Sequence, residues 1–331
     1  MNYNSVKLEK GMYGVRGKNF TQVLEDLDPS AGYKNSAFNG LDAYQRQLKR
    51  FGIKVSGPYS DSVSKFFSTT DSSALFPEFV SRAVKAGMEE FTALSAITAS
   101  TTNADSPDYR SFNTVDSGES PAQEGAALPE LNVKTKSNLV QMKKHGRLLS
   151  ASYEAVKFQR LDLFAVILRR IGQNIARAQM QDAVNVLLNG DGNGNAPEEI
   201  GAAGAALAFE DLLALWSSFD DYDMTAILAA PATVMEIAAL DEFLNPLNRV
   251  NLLEGGKLGE FAGTTGVFKS AYVPEGTVIG LDSGCALEKV ECGGLAIDYD
   301  KLIDRQLERA GITSTAGFAR IFDGAVKILT I

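Results

Sequence analysis

Residues 123–194 carry the most informative pattern of the chain. It opens with the turn-rich QEGAALPE (Gln123–Glu130) and continues through LNVKTKSNLVQMKKHGRLLSASYEAV (Leu131–Val156). A long segment with periodic apolar residues follows and stops abruptly at LNGDGNG (Leu188–Gly194), where glycines interrupt any regular pattern. The order predicts a turn, an extended run, a long helix and a sharp helix stop.

The extended run alternates between apolar and polar residues, as a half-buried strand does. One face carries Leu131, Val133 and Leu139, and the other carries Asn132, Lys134, Lys136 and Asn138. A second strand is predicted at Asp108–Val115, before the turn-like Asp116–Pro121. Together they form a long hairpin. Because an isolated two-stranded hairpin is marginally stable in water, we expect it to lie on another surface.

The segment after the extended run has the periodicity of a helix. Its apolar residues recur at steps of three and four: Phe164, Leu168, Ile171, Ile175 and Ala178. A helix from Leu161 to Leu188 would be roughly 40 Å long. A hairpin that leads into so long a helix has little use in a monomer, so the pattern favours a protein that associates.

These segments carry a resemblance to a known family. Glu124–Glu130 (EGAALPE), the extended basic run and the long helix ending in Leu188–Gly194 resemble the major capsid protein of tailed bacteriophages, which has the Hong Kong ninety-seven type fold. The order of the other segments extends the resemblance to residues 76–331. Neither short motif is specific alone, and the match depends on their order and spacing.

The resemblance implies an α+β phage capsid fold. Its parts are a peripheral domain with a long spine helix on an antiparallel sheet, an axial domain, an extended hairpin loop and an N-terminal arm. The expected segments are an arm at 1–75, the start of the peripheral domain at 76–100, the hairpin loop at 101–138, the peripheral domain with the spine helix at 139–200, the axial domain at 201–290 and the returning peripheral strands at 291–331.

The resemblance also implies where copies touch one another. The expected assembly contacts are Phe112, Glu124, Gly125, Leu128, Pro129, Val133 and Arg147. Some relatives form a covalent crosslink through a lysine just before the proline of this loop. Leu128 stands at that position, so we expect no crosslink there.

Residues 1–75 are poor in long apolar patterns and rich in Gly, Ser, Asn and Asp. One helix is predicted at Leu41–Phe51, with Asn39 as its cap. The resemblance favours an arm that orders on neighbouring copies, and removing it should leave a folded core. Many relatives carry a cleaved coiled-coil scaffolding segment here. No heptad run is visible, so we expect no large N-terminal piece to be removed.

Other elements follow from local patterns. Pro77 suits the first turn of a helix with an apolar stripe. Residues 98–107 are predicted to be a polar connector. Near the C-terminus, Leu302–Ile312 and Phe318–Leu329 are predicted to be two strands joined by a turn at Ser314–Gly317.

Composition excludes several classes of protein. The chain of 331 residues is 45% hydrophobic and 22% charged, which is typical of a globular protein, and no membrane span or signal peptide is predicted. The net charge of -9 argues against a dedicated nucleic-acid binder. Ten basic and two acidic residues lie between Lys134 and Arg177, whereas acids dominate from Glu198 to Lys289. Opposite charges on different segments could steer one copy onto the next, although a solvated charged surface is an equal alternative.

No motif favours catalysis or a bound cofactor. The single histidine, His145, lacks a partner by motif and is predicted to be a surface residue. Cys285 and Cys292 match no zinc spacing and are expected to be reduced. Asp191–Asn195 begins like a calcium loop, but Ala196 and Ala202 occupy positions that need glycine and glutamate. We therefore expect no enzyme activity, cofactor or metal.

Our first hypothesis is the structural subunit of a phage head that forms pentamers and hexamers of an icosahedral shell around double-stranded DNA. Its expected partners are copies of itself, a portal, scaffold or decoration proteins and non-specifically packaged DNA, without a membrane. The virion would be assembled in the cytoplasm of the bacterial host. The alternatives are an encapsulin-like compartment around a cargo enzyme and a soluble enzyme of unknown class.

Overall fold

The computed structural model describes residues 3–15, 17–116, 131–244 and 266–331. The chain divides into two compact units, each assembled from three stretches of sequence. Unit 1 comprises Met1–Glu90, Gly146–Ile175 and Leu295–Thr313. Unit 2 comprises Phe91–His145, Ala176–Gly294 and Ser314–Ile331. The boundaries of the segments predicted from sequence stay predictions.

Helices and strands alternate irregularly along the described residues, as in an α+β protein. The helices are α1 (Phe20–Leu27), α2 (Ala43–Arg50), α3 (Thr70–Ser73), α4 (Phe76–Glu89), α5 (Thr92–Ala96), α6 (Tyr153–Phe158), α7 (Leu161–Asn189), α8 (Phe209–Ser217) and α9 (Pro231–Ala239). The strands are β1 (Ser100–Ala104), β2 (Phe112–Asp116), β3 (Leu131–Thr135), β4 (Lys143–Ser152), β5 (Glu198–Gly201), β6 (Ala226–Ala229), β7 (Gly266–Lys269), β8 (Thr277–Leu281), β9 (Leu287–Leu302), β10 (Leu307–Arg320) and β11 (Val326–Thr330). Within the same ranges, no helix is both long and apolar enough to span a membrane.

The long helix predicted from the apolar periodicity is confirmed as α7, which has 29 residues. In unit 1 it passes very close to α4. A Cβ added at Gly87 of α4 would lie 2.0 Å from the carbonyl oxygen of Arg169, and one added at Gly172 of α7 would lie 2.0 Å from that of Val84. Only glycine fits this approach of two backbones. The helix crossing therefore depends on one glycine from each helix.

The described residues at the N-terminus (3–15 and 17–75) are folded, and this corrects the expectation of an arm that orders on neighbouring copies. Phe20, Val63 and Phe66 are at most 2% exposed and belong to the same apolar core as Leu168 of α7. The short apolar groups of this segment could not form a core by themselves, but they complete one that later parts of unit 1 provide. A chain without residues 1–75 would lose these core residues, so we expect the truncation to destabilise unit 1.

Polar interactions hold the folded N-terminal segment. Arg46 of α2 is 0% exposed, and its Nε donates to Asp28 at 2.8 Å. Its guanidinium also lies over the ring of Tyr33. The helix begins at Asp42, which forms a capping box with Gln45, rather than at the predicted cap Asn39. The predicted helix itself is confirmed.

A four-stranded sheet has the order β1-β9-β10-β4. Its edge strand β1, which pairs in parallel with β9, replaces the polar connector predicted at 98–107. The turn predicted at Ser314–Gly317 is also wrong, because β10 runs straight through it. Ser314 is buried and its hydroxyl accepts from Gln179, while a Cβ at Gly317 would lie 2.9 Å from the carbonyl oxygen of Gln141. Small residues there allow a close approach within unit 2 and do not make a turn.

A five-stranded sheet in unit 2 has the order β5-β11-β8-β6-β7. Its central strands β6 and β8 are fully buried and pair antiparallel. On one face, Leu212 and Leu215 of α8 and Ile237 of α9 pack against the sheet residues Ile227 and Val278. Strand β6 ends just before Ala230, and helix α9 begins just after it.

Candidate functional site

The predicted hairpin is present as β2 and β3. These strands pair antiparallel from Phe112 opposite Thr135 to Asp116 opposite Leu131. Within the described residues they form a sheet of only two strands. Two strands without further support are marginally stable in water, so the base of the hairpin needs to be held by the rest of unit 2.

The two faces of the hairpin differ in polarity. Phe112 and Thr114 are two residues apart on β2, and Val133 is directly opposite Thr114. Phe112 and Val133 therefore lie on the same side, where they are 41% and 64% exposed. The other side carries Asn113, Asn132 and Lys134. Two exposed apolar side chains therefore lie on one side of the ribbon, and exposed polar side chains lie on the other.

A buried carboxylate holds the strand that enters the hairpin. Glu288 of β9 is 3% exposed, and its two oxygens accept hydrogen bonds from three hydroxyl groups. Thr102 and Tyr109 donate to Oε1 at 2.6 and 2.8 Å, and Ser111 donates to Oε2 at 2.6 Å. Ser111 is the residue just before β2. These three hydrogen bonds satisfy the buried carboxylate. The bond from Ser111 also fixes the start of the hairpin.

A buried ion pair holds the strand that leaves the hairpin. Lys136 directly follows β3, and its Nζ lies 2.9 Å from Oδ2 of Asp191, with side-chain exposures of 5% and 3%. The same ammonium donates to the carbonyl oxygen of Arg320 at 2.6 Å. A backbone hydrogen bond joins the entering and leaving strands at this point: the N–H of Lys136 donates to the carbonyl oxygen of Ser111 at 2.9 Å.

The glycine-rich stop after α7 forms the receiving side of this anchor. Gly190, Gly192 and Gly194 have φ values of 79°, 88° and 77°, which let the chain fold tightly around Asp191. The backbone N–H of Asn138 donates to Oδ1 of Asn193 at 2.8 Å. Its side-chain nitrogen donates to the carbonyl oxygen of Gly192 at 2.6 Å. The motif therefore stops the helix and also binds the end of the hairpin.

The positive charge next to the Asp191 carboxylate in this turn is the ammonium group of Lys136. Burial alone would raise the pKa of Asp191, but hydrogen bonds from Lys136 and Asn193 and the positive charge of Lys136 outweigh it and hold the pKa below its usual value. Among the described residues, no group of three or more His, Cys, Asp or Glu side chains could hold a metal ion. The Asp191 carboxylate serves as the counter-ion of Lys136.

The predicted contact residues fall into three groups. Phe112 and Val133 share the uncovered face of the hairpin. Arg147 lies exposed on β4 in unit 1 and contacts the carbonyl oxygen of its neighbour Gly146 at 3.1 Å. The remaining predicted contacts lie outside the described residues: Glu124, Gly125, Leu128 and Pro129.

Sequence reasoning missed the residues that anchor the hairpin. Lys136 was assigned to the polar face of the strand, and Asp191 only to a helix stop. Glu288 offered the clearest signal, because a carboxylate between apolar strand residues such as Leu287 and Val290 needs a partner. Which hydroxyls would satisfy it could not be deduced from the chain order.

The single histidine is partly buried and has a partner. Nε2 of His145 lies 2.5 Å from Oδ2 of Asp182, whose other oxygen accepts from Lys143 at 2.7 Å. Cys285 and Cys292 are free thiols. Burial and the nearby Asp282 raise the pKa of the Cys285 thiol. This cysteine therefore lacks the lowered pKa of a nucleophile.

Comparison with known families gives a match. A family model described as phage capsid protein matches residues 135–322, which is more than half of the chain. The matched region begins at the end of β3 and includes the ion pair between Lys136 and Asp191. No curated protein matches the chain.

Solved structures share the fold. The capsid of an empty GTA particle superposes with a TM-score of 0.54 at 16% identity, covering 72% of this chain and 90% of that chain. The capsid of a native GTA particle superposes with a TM-score of 0.51 at 16% identity, covering 72% of this chain and 90% of that chain. A virus-like particle from Pyrococcus furiosus gives 0.51 at 10% identity, covering 77% of this chain and 99% of that chain. At these identities the similarity concerns the fold alone.

Proposed function

This chain belongs to the phage capsid protein family, and on that premise we propose that its copies assemble as pentamers and hexamers into an icosahedral head that encloses double-stranded DNA. The observation that carries the proposal is the hairpin of β2 and β3. It is held firmly at its base and presents an uncovered apolar face at Phe112 and Val133. We propose that a neighbouring copy covers this face in the assembled shell.

The anchor explains how the hairpin would act. Glu288 and the pair of Lys136 and Asp191 fix the direction of the ribbon before any neighbour arrives, so less conformational entropy is lost on contact. Covering a half-exposed Phe112 and Val133 would contribute about 1 kcal/mol each. A contact this weak is reversible for one pair of copies. Repeated around a closed shell, such contacts add up through avidity.

Rings follow from the kind of contact. A hairpin on one copy and a receiving surface elsewhere on the next form a heterologous contact, which closes into a ring when the rotation permits. Five- and six-membered rings from one sequence require small adjustments between copies. We propose that the hairpin, which is anchored at its base, provides them.

The role we propose is structural and not enzymatic. The proposed partners besides other copies are a portal, scaffold or decoration proteins, and packaged DNA held without base-specific contacts. The net charge of -9 would limit adhesion of the shell to DNA. We propose that the shell is assembled in the host cytoplasm and forms part of the virion. We also propose that it has no covalent crosslink at Leu128.

Electron microscopy of the purified, expressed chain tests this proposal. We expect closed shells built of rings, and shells from infected or induced cells should contain DNA that resists nuclease until the particles are opened. Shells that enclose a protein in place of DNA would favour the encapsulin-like alternative. A chain that remains monomeric at high concentration would contradict both.

A further inference from the structure

The first two turns of α7 expose an apolar stripe on unit 1. Leu163, Val166 and Ile167 are 55%, 53% and 41% exposed, and the exposed Arg170 continues the same line. Their spacing of i, i+3, i+4 and i+7 places all four on one side of the helix. The opposite side of these turns is buried in the core of unit 1. This face is therefore available to another molecule.

Helix α8 of unit 2 exposes a stripe with the same spacing. Glu210, Leu213, Ala214 and Ser217 occupy positions i, i+3, i+4 and i+7 and are all exposed. The flanking Trp216 is 45% exposed. The opposite side of α8, with Leu212 and Leu215, is fully buried in unit 2. Apolar residues occupy the middle of the stripe and an acid lies at its N-terminal end.

The two stripes are complementary when the helices run antiparallel. Arg170 then lies opposite Glu210, and the pair Val166 and Ile167 lies opposite Leu213 and Ala214. We propose that the α7 stripe of one copy docks on the α8 stripe of a second copy. This contact rests on the proposed function, because it would be one of the contacts that join copies in the shell.

Alternative arrangements place a carboxylate against apolar side chains. In a parallel pairing, Glu210 would face Leu163. Helix α9 has the more exposed apolar residue, Met235 at 73%, but its exposed stripe carries Glu236 in the middle. Docked on α7, Glu236 would face Val166 and Ile167. A carboxylate desolvated without a partner costs several kcal/mol, so both alternatives are disfavoured.

The position and length of the two stripes determine what kind of contact they make and how strong it is. Its two halves are different surfaces of the chain, so the contact is heterologous and can continue from copy to copy. Each stripe spans about 10 Å of helix. That is too small for the roughly 1,200 Å² that a stable isolated interface buries. The contact therefore needs the other contacts of a shell to be populated.

Charge reversal in the full chain tests the pairing. Arg170→Glu and Glu210→Arg should each raise the protein concentration at which half of the chain assembles by about tenfold, through repulsion repeated in every ring. The double variant should restore assembly to within about threefold of the original chain. Glu236→Arg is the matched control on α9 and should change nothing. Thermal unfolding of each variant checks that the fold is intact.

Normal assembly of both single variants, or a double variant no better than either, would overturn the pairing. Rescue of Arg170→Glu by Glu236→Arg would also overturn it, by assigning the contact to α9.

Disulfide trapping separates this inference from the proposed function. A chain carrying both Ile167→Cys and Leu213→Cys should form a ladder of covalent head-to-tail oligomers on mild oxidation. Chains with one of these substitutions, or with the native cysteines alone, should stop at dimers or monomers. A ladder without shells would retain the contact and refute the shell. Shells without a ladder would retain the shell and refute the contact.

Discussion

The ammonium group of Lys136 lies 2.9 Å from the carboxylate of Asp191, and both side chains are almost completely buried. One partner follows the last hairpin strand and the other sits in the glycine-rich turn after α7. The pair therefore joins the hairpin to the turn that ends α7 in unit 2. The hairpin is the feature on which the proposed assembly depends, so this joint connects the fold to the function.

Lys136→Met should destabilise the chain strongly. It leaves the Asp191 carboxylate buried without its cation, which costs about 3–5 kcal/mol in comparable pairs. The free energy of unfolding, measured in urea, should fall by an amount in that range. Lys134→Met is the matched control, because Lys134 lies two residues earlier on the exposed face, and it should cost less than about 0.5 kcal/mol. Equal effects of the two substitutions would refute the anchor.

Acid should loosen the base of the hairpin. The pKa of Asp191 is lower in the folded chain than the value of about 3.9 in an unfolded chain. Its stabilising contribution is therefore fully present above about pH 4 and is lost as the pH falls through the lower, folded-state pKa. Protease sensitivity of the hairpin should rise over that acidic interval. Asp191→Asn should show a flatter pH dependence there, and an unchanged profile in this variant would contradict the assignment.

Val133→Glu should prevent assembly without unfolding the monomer. Its side chain is 64% exposed in the single chain, so a charge is tolerated there, but a neighbour that covers it would have to desolvate the carboxylate. Phe112→Glu should act in the same way. Asn132→Glu places the same charge on the opposite face of the same strand and is the control.

Particle yield by sedimentation should fall at least about tenfold for the two apolar positions and stay unchanged for Asn132→Glu. Melting temperatures of all three should remain within about 2 °C of the original. Full assembly of Val133→Glu would show that this face stays uncovered.

Gly87→Ala and Gly172→Ala should each weaken unit 1. The added methyl group would lie 2.0 Å from a backbone oxygen of the facing helix, so α4 and α7 would have to move apart. Such overpacking costs about 1–3 kcal/mol or more, which urea unfolding would detect. Gly11→Ala is the control, because nothing lies within 4 Å of its added Cβ. If all three cost the same, the helices do not cross as described.

Local patterns predicted the parts of the fold that they determine. The periodicity from Phe164 to Ile175 predicted α7, and alternation around Val133 predicted a hairpin strand. They failed where a distant partner decides the outcome. The folding of residues 17–75 depends on a core shared with α7, and the strand through Ser314–Gly317 depends on a close approach of Gln141.

The candidate site divides in the same way. The alternation around Val133 places this residue on the face opposite Asn132 and Lys134, because successive side chains of a strand point to opposite sides. The ion pair joins residues that are 55 positions apart in the chain. No pattern within either segment indicates it, since a lysine on a strand and an aspartate in a turn are each ordinary on a surface.

A cryo-electron microscopy map of particles assembled from the purified chain would show whether the hairpin is a contact between copies. We expect that in every ring the face carrying Phe112 and Val133 is covered by an adjacent copy, with Lys136 still bound to Asp191 of its own chain. Particles in which that face points into solvent, or a chain that forms no particles at any concentration, would contradict it.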